Sequence, residues 1–301
     1  MGLTRQMHAG FDETDRSRPV HDGRDKPVIM LVHGMWSRPH VWDNFRQFLE
    51  ARNYRVVAPT LRHHDGAPGA MPHPELGTMS LVDYLADLAS EIGRLGGKPL
   101  VIGHSMGGLL AHMLAARGLA RAVIGLAPAQ NAGVINHDVR SAWIFRREFM
   151  KSRFWAIPQL PTFKAMQYGV LNRLAPREQE ELYASLQPES GRAMFEIGMW
   201  YFDSKRTTWI NPDDVACPML FMTGTEDKLT PLWLTQRLAE PYGTQLRVEA
   251  LKGHAHWLPA ESGWERIAER CVRFFEKDAP EMARQMVPET ARAIGQLAPA
   301  R

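Results

Sequence analysis

A serine between two glycines is the residue of this chain best placed for nucleophilic chemistry. A short apolar run at 100–102 leads into the pattern Gly-x-Ser-x-Gly, whose serine is Ser105, and good helix formers follow at 109–116. This order of buried strand, tight turn and helix presents a serine hydroxyl at the end of a sheet. The N–H of Met106, at the start of the helix, would face the group that the hydroxyl attacks. An ordinary strand-to-helix turn can carry the same pattern, but the flanking elements favour a nucleophile.

A serine hydroxyl needs a base within hydrogen-bond reach, and that base needs a third group to orient it. Asp227 lies three residues past Gly224, which follows a buried run, and shortly before Pro231, where a helix is predicted to begin. Its short side chain at a tight turn makes a fixed acceptor, although it could instead cap that helix. The neighbouring Glu226 would point the other way in an extended loop. We predict that Asp227 is the orienting carboxylate.

Two histidines, His254 and His256, follow the last predicted strand. They are two residues apart and therefore point in different directions if the loop is extended, and on the residues alone either could be the base. A single loop histidine is usually just solvated. This loop, however, comes after a serine turn and an aspartate turn, so that the chain order is Ser, Asp, His.

The rest of the chain supplies a framework for these loops. Apolar runs typical of buried strands alternate with helical patterns, and they lie at 27–34, 55–59, 99–104, 121–127, 218–223 and 246–251. The alternation predicts an α/β fold with a doubly wound, mostly parallel sheet. We assign residues 27–129 and 215–277 to this sheet domain.

Residues 130–214 break the alternation. Their helical patterns are separated by prolines, and residues 137–210 hold thirteen of the chain's 27 aromatic side chains. We predict that 130–214 is a helical cap, or lid, inserted into the sheet domain. Most of the aromatic side chains would hold the cap together, and a minority would face the cleft.

Two smaller clusters are candidates for binding roles. The cap carries four basic residues opposed by Glu148 alone, namely Arg146, Arg147, Lys151 and Arg153. Such a cluster is typical of a solvated helix face, with selection of an anionic substrate as the alternative. The run His63-His64-Asp65 resembles metal ligands, but adjacent histidines face apart and no third ligand stands at a sensible spacing. We therefore expect no metal site and no cofactor.

Composition narrows the class of protein. The formal net charge of +3, without a lysine-arginine block, argues against nucleic-acid binding. Two cysteines, Cys217 and Cys271, fit a reducing compartment, and neither a signal peptide nor a bilayer-length apolar stretch is evident. We expect a cytoplasmic protein that acts on a small molecule without membrane insertion. Residues 1–26 are a polar lead-in and 278–301 a tail; the cap or the tail could join copies in a homo-oligomer.

Together these motifs resemble the α/β-hydrolase family, and the likeness runs from about Lys26 to Lys277. It rests on the His33–Gly34 loop, the Gly-x-Ser-x-Gly turn, the Gly-x-x-Asp turn and the terminal histidine loop. The resemblance implies the α/β-hydrolase fold. Relatives often begin with two antiparallel strands, whereas only 26 residues precede the first predicted strand here, so we expect a sheet that is short at that edge.

The resemblance also assigns roles. It implies an oxyanion hole made by the backbone N–H groups of Met35 and Met106. In relatives the catalytic histidine is commonly followed five residues later by a glutamate, as Glu261 follows His256, whereas His254 follows a glycine, as many relatives' histidines do. We choose His256 as the base, with His254 as the second choice.

The function implied is that of a serine hydrolase, similar to carboxylesterases and lipases, which cleaves an ester through an acyl-enzyme. The aromatic cap suggests a mainly apolar substrate, and Trp36, His104 and Trp257, each next to a site residue, are expected to line its pocket. The same triad could instead serve C–C bond hydrolysis, thioester hydrolysis, acyl transfer or perhydrolysis. An intact set of three catalytic groups disfavours a non-catalytic ligand receptor.

Overall fold

The computed structural model of the chain describes residues 26–286. The predicted lead-in, except for Lys26, lies outside these residues, as does the tail beyond residue 286. Within them, six strands form one parallel sheet in the order β2-β1-β3-β4-β5-β6. The strands are β1 (Val28–Val32), β2 (Arg55–Val57), β3 (Leu100–His104), β4 (Ala122–Leu126), β5 (Met219–Gly224) and β6 (Leu246–Leu251).

The strand order makes the sheet doubly wound, as predicted. From β1 the chain crosses to β2 on one side, returns to β3 on the other side, and continues outward to β6. The registers keep the carboxyl ends level, since Val32 pairs with Gly103 and Gly103 with Gly125. Loops that follow these strands therefore meet at one edge, with the reversal of direction between β1 and β3. In open α/β sheets ligands bind at such a reversal.

Helices connect the strands. Those of the sheet domain are α1 (Asp43–Glu50), α2 (Leu81–Leu95), α3 (Met106–Ala116), α8 (Leu232–Ala239), α9 (Trp264–Arg273) and α10 (Ala279–Met286). Helix α2 shows why such a helix begins and ends where it does. Ser80 accepts the Val82 N–H, Asp83 accepts the Ser80 N–H, and Gly96 ends the helix at a φ of +74°.

Residues 130–214 contribute no strand to the sheet. They form the helical insertion, with helices α4 (Val139–Phe149), α5 (Phe163–Gly169), α6 (Pro176–Ser185) and α7 (Gly191–Gly198). Hydrogen bonds connect the insertion to the sheet domain. The Gln187 N–H donates to the Trp36 carbonyl at 2.8 Å. The Ser190 hydroxyl likewise donates to the Met79 carbonyl at 2.6 Å.

The first part of the predicted tail is helical. Helix α10 continues from α9 through a π-helical turn, Phe274–Asp278, and Ala279 and Met282 are buried. This part therefore packs on the sheet domain. None of the helices between residues 26 and 286 combines the length with the apolar character that a membrane span requires.

Candidate active site

Ser105 lies in a strained turn between β3 and α3. Its φ of +55° is unusual for a side chain other than glycine, and its N–H donates to the Leu126 carbonyl at 2.9 Å. The flanking glycines are required by space. A Cβ on Gly103 would lie 2.0 Å from the Gly107 carbonyl oxygen, and one on Gly107 would lie 2.1 Å from that of Val32. The Gly-x-Ser-x-Gly spacing therefore lets strand and helix approach closely enough to hold the serine.

The structure brings Ser105, His256 and Asp227 into one hydrogen-bonded chain. Nε2 of His256 lies 3.0 Å from Oγ of Ser105, and Nδ1 of His256 lies 2.8 Å from Oδ2 of Asp227. The residues come from the loops after β3, β6 and β5, and all three are buried. With Nδ1–H donating to the carboxylate, Nε2 carries the lone pair that can accept the serine proton.

Asp227 is fixed on both of its oxygens. Oδ1 accepts the N–H groups of Leu229 and Thr230 at 2.8 Å each, and the Thr230 hydroxyl donates to Oδ2 at 2.9 Å. These N–H groups belong to the turn before α8, which begins at Leu232 without a side-chain cap, so Asp227 does not cap that helix. Its other oxygen faces His256, as an orienting carboxylate would. Sequence reasoning misses Thr230, whose only signal is a hydroxyl three residues after the aspartate.

His254 faces away from Ser105. Its Nδ1 lies 3.2 Å from Oε2 of Glu261, a carboxylate that also accepts the N–H groups of Ala255 and Trp257 at 2.8 and 3.0 Å. These contacts of Glu261 hold the loop in a conformation in which the side chains of His254 and His256 point in different directions. The geometry favours His256 over His254 as the base.

Two backbone N–H groups are available beside Ser105. Met106 is the first residue of α3, so its N–H has no acceptor within the helix. Met35 lines the same cavity as Ser105, and its N–H donates to no acceptor among residues 26–286. Gly34 allows this approach, because a Cβ there would lie 2.9 Å from the His104 carbonyl oxygen.

His33 holds the loop that carries Met35. Burial, together with the neighbouring His64, lowers the pKa of His33 to about 3, so the ring is neutral. Its Nδ1–H donates to the Gly34 carbonyl at 3.0 Å and its Nε2 accepts the Leu61 N–H at 3.2 Å. The imidazole therefore acts here as a neutral bridge between the loops after β1 and β2.

A cavity of about 240 Å³ opens over Ser105. The helical insertion supplies an apolar wall made by Phe145, Phe149, Met194, Ile197, Met199 and Tyr201. Gln130, Asn136, Ser141 and Thr230 supply the polar lining groups. Asn136 and Ser141 both donate to the Leu229 carbonyl, so their polarity is largely directed at the protein.

The three residues predicted to line the pocket do not line this cavity. Trp36 is buried with its indole N–H on the Gln159 carbonyl at 3.1 Å. His104 donates from Nε2 to the His256 carbonyl at 2.8 Å, and Trp257 packs edge-on against His104 with ring centroids 5.5 Å apart. Met35 and Ser105, the neighbours of Trp36 and His104 in the sequence, do line the cavity, whereas Trp36 and His104 are turned toward the interior. They support the site loops instead of contacting the cavity.

His104 links the turn that holds Ser105 to the loop that carries His256. Burial, with a further effect of His256, lowers the pKa of His104 to about 3, which keeps the ring neutral. Because a carbonyl only accepts, Nε2 of His104 carries the proton in its bond to the His256 backbone. This bond fixes the loop after β6 relative to Ser105.

The helical insertion is anchored by a buried charged pair that the sequence did not reveal. Nε2 of His64 lies 3.1 Å from Glu189, whose other oxygen accepts the Tyr84 hydroxyl at 2.7 Å. Burial disfavours the charged form of both side chains, but their mutual attraction and hydrogen bonds outweigh it. The pKa of Glu189 is therefore lowered and the pKa of His64 is raised. The partners are 125 positions apart in the sequence, so no local pattern indicates that they meet.

The basic cluster lies on the outer face of the insertion. All four of its cationic residues are exposed, and none of them lines the cavity. The Arg146 guanidinium lies 4.0 Å from the centroid of the Trp143 ring, and the Lys151 ammonium donates to Gln159 at 2.7 Å. This placement favours a solvated face over selection of an anionic substrate.

Comparison with known proteins gives a family match over most of the chain. Residues 29–270 match the sequence profile described as the alpha/beta hydrolase family. A pyrethroid hydrolase of Sphingobium wenxiniae is 37% identical over 87 residues, which are 29% of this chain and 30% of that protein. A pimeloyl-(acyl-carrier protein) methyl ester esterase of Aromatoleum aromaticum is 35% identical over 93 residues, 31% of this chain and 33% of that protein. The matches thus span about a third of these curated relatives.

The fold match is broader. The crystal structure of a pyrethroid hydrolase from Sphingobium faniae superposes with a TM-score of 0.64 at 18% identity. It covers 84% of this chain and 99% of that chain. At this identity the comparison shows a shared fold.

Proposed function

This chain belongs to the alpha/beta hydrolase family, and on that premise we propose that it is a serine hydrolase that cleaves carboxylic esters of small, mainly apolar molecules. The observation that carries the proposal is the hydrogen-bonded chain from Asp227 through His256 to Ser105 at the wall of an apolar cavity. The curated relatives named above, a pyrethroid hydrolase and a methyl ester esterase, support the ester class.

In the first step Ser105 attacks the ester carbonyl carbon. Nε2 of His256 takes the hydroxyl proton as the new C–O bond forms, and the Asp227 carboxylate stabilises the resulting imidazolium. The carbonyl electron pair moves onto oxygen, which becomes the oxyanion. Nε2 of His256 is 3.0 Å from Oγ of Ser105 and Nδ1 is 2.8 Å from Oδ2 of Asp227, so the proton can move from the serine to the histidine without a rearrangement of these side chains.

The backbone N–H groups of Met35 and Met106 would stabilise that oxyanion. Such donors act only on charge that develops in the transition state, and each is worth about 3 kcal/mol. The two groups come from the loops after β1 and β3, which flank the reversal of the sheet. These roles use the backbone alone, whereas the Met35 side chain lines the cavity and that of Met106 is buried.

Collapse of the intermediate gives the leaving alcohol the proton held by His256 and leaves an acyl group on Ser105. Water then enters, His256 takes its proton, and the hydroxide attacks the acyl carbon. The second collapse returns the proton to Ser105 and releases the acid. Atoms and charges balance without a cofactor.

The helical insertion is proposed to act as the cap of the site. Its aromatic and methionine side chains form the apolar wall, and a cavity of about 240 Å³ suits an acyl or alcohol group of modest size. We also place the enzyme in the cytoplasm, since its two cysteines are unpaired and buried, as in a reducing compartment.

Hydrolysis of short p-nitrophenyl esters tests the proposal. Ser105→Ala should lower turnover to the background of uncatalysed hydrolysis, whereas Ser152→Ala, at an exposed serine of the insertion, should leave it unchanged. A parallel panel of thioesters and diketones should be turned over more slowly than the esters. Undiminished ester turnover by a folded Ser105→Ala enzyme would end the proposal, and faster thioester or diketone turnover would end the ester assignment.

A further inference from the structure

The loop between β2 and α2 gathers three side chains of the types that bind transition metals. One ring nitrogen each from His63 and His73 and a carboxylate oxygen of Glu75 lie within 4.8 Å of one another. The sequence alone indicates no third ligand at a sensible spacing from His63 and His64. His64 does turn away into the interior, as adjacent histidines should, and the partners of His63 come from farther along the loop.

His63 carries an unsatisfied polar atom. Its Nε2 is buried and has no hydrogen-bond partner among residues 26–286, and the nearest carboxylate oxygen, on Glu75, is 3.7 Å away. The side chain is only 16% exposed, and the backbone is held at a φ of +66°. Buried polar atoms are nearly always paired, and a bound ion is one common explanation for an orphan.

The two imidazole rings are suited to binding as neutral ligands. The rings of His63 and His73 stack with centroids 3.8 Å apart and an interplanar angle of 7°. Nε2 of His63 has no hydrogen-bond partner among the described residues and is therefore free to bind an ion. Nδ1 of His73 accepts the Glu75 N–H at 3.2 Å, so an ion that binds this ring must take the place of that hydrogen bond.

The carboxylate of the cluster forms no salt bridge to a lysine or arginine among the described residues, although the nearby Arg62 interacts with it electrostatically. Within residues 26–286 the only ion pair of Glu75 is its 3.7 Å contact with His63. The nearby Arg62 is engaged elsewhere, since its guanidinium donates to both oxygens of Asp87. Glu75 therefore offers a net negative charge to an ion beside the two histidines.

We propose that His63, His73 and Glu75 bind one divalent first-row transition-metal ion such as Zn²⁺. Two imidazoles and a carboxylate, with water as a further ligand, are a common donor set for zinc. Ligand atoms about 2.1 Å from a tetrahedral ion lie roughly 3.4 Å apart, so the cluster contracts on binding. The His73 ring turns to do this, because the lone pairs of parallel rings do not converge.

The ion would close the loop between β2 and α2 next to the anchored helical insertion. His64, which follows His63 directly, is hydrogen-bonded to Glu189 of the insertion. Binding should therefore stabilise the folded chain by mass action. This inference does not depend on the proposed esterase activity.

Titration of the untagged, EDTA-treated full chain with ZnCl₂ tests the site. We expect one ion per chain with a Kd of about 10 µM or below, and a rise in Tm of about 5 °C at a hundredfold excess over Kd. His73→Ala and Glu75→Gln change exposed side chains and should fold, yet each should weaken binding at least about tenfold. His40→Ala, at an exposed histidine outside the cluster, is the matched control and should bind as the wild type does.

X-ray absorption at the zinc edge should show nitrogen and oxygen ligands at about 2.0 Å. Wild-type affinity in both His73→Ala and Glu75→Gln would overturn the site, as would an equal loss in His40→Ala. Sulfur in the zinc shell would also overturn it, because it would assign the ion to a cysteine. The proposed site would also be overturned if the wild-type chain bound no zinc at about 100 µM ZnCl₂.

Discussion

Replacing Asp227 with asparagine tests how His256 is held in its working protonation state. One carboxylate oxygen accepts the N–H groups of Leu229 and Thr230, and the other lies 2.8 Å from Nδ1 of His256. An asparagine must keep its amide oxygen on the two N–H donors, because its NH₂ group would meet them donor to donor. The NH₂ group then faces Nδ1 of His256, which must accept instead of donating.

The consequence is a change of tautomer. The proton of the neutral imidazole moves to Nε2, 3.0 Å from Oγ of Ser105, and that nitrogen no longer takes the serine proton. We expect kcat to fall about 10⁴-fold, which corresponds to roughly 5.4 kcal/mol of activation free energy. The free energy of unfolding of Asp227→Asn should change little, since the amide oxygen of the new side chain keeps both backbone hydrogen bonds. The Thr230 hydroxyl loses Oδ2 as its acceptor but can still donate to the Ala127 carbonyl at 3.2 Å.

Steady-state hydrolysis of p-nitrophenyl butyrate at neutral pH measures this loss, with thermal unfolding to confirm the fold. Asp214→Asn, at an exposed carboxylate in the turn before β5, is the matched control and should retain wild-type kcat. A loss below about tenfold in folded Asp227→Asn would refute the tautomer argument. An equal loss in Asp214→Asn would refute it too.

Three further predictions concern the base, the buried pair and the apolar wall. His256→Ala should abolish ester turnover while His254→Ala keeps at least about a tenth of it, as measured by kcat; equal losses would contradict the choice of base. Glu189→Gln should lower the free energy of unfolding in urea by about 3 kcal/mol. The pKa of Glu189 is lowered in the folded chain, so the stabilisation by Glu189 is lost as pH falls below about 4.5. The pKa of His64 is raised, so the stabilisation by His64 is lost as pH rises well above 6.5. A difference in stability between wild type and Glu189→Gln that does not change with pH would contradict the pairing. Phe149→Ala should raise kcat/KM for decanoate over acetate esters about tenfold, because it widens the apolar wall; an unchanged ratio would place the acyl chain elsewhere.

Much of the framework follows from local sequence patterns. Buried runs separated by helical patterns leave few alternatives to a parallel sheet, and level carboxyl ends then bring distant loops together. For this reason the serine, aspartate and histidine loops could be predicted to meet. The alternation of strands and helices does not predict how the helices of the insertion pack or which of their faces lines a cavity. Phe145 lines the cavity, for example, whereas its neighbour Arg146 is exposed to solvent.

The remaining details depend on contacts without a local signal. Spacing shows that His254 and His256 diverge, but the direction of each depends on how Glu261 folds the loop. Proximity in sequence was misleading for Trp257, because the side chain after a site residue turns into the interior. The cluster around His63 needs a loop to fold back on itself, which adjacency alone does not predict.

Labelling with a fluorophosphonate, followed by mass spectrometry of the digested protein, tests the central claim most directly. We predict one label per chain, on Ser105, with loss of ester hydrolysis in proportion to labelling. We predict no label in Ser105→Ala and far slower labelling in His256→Ala, because the reagent reacts only with an activated serine. Full ester hydrolysis by a chain labelled at Ser105, or labelling of another residue in step with the loss of activity, would contradict the account.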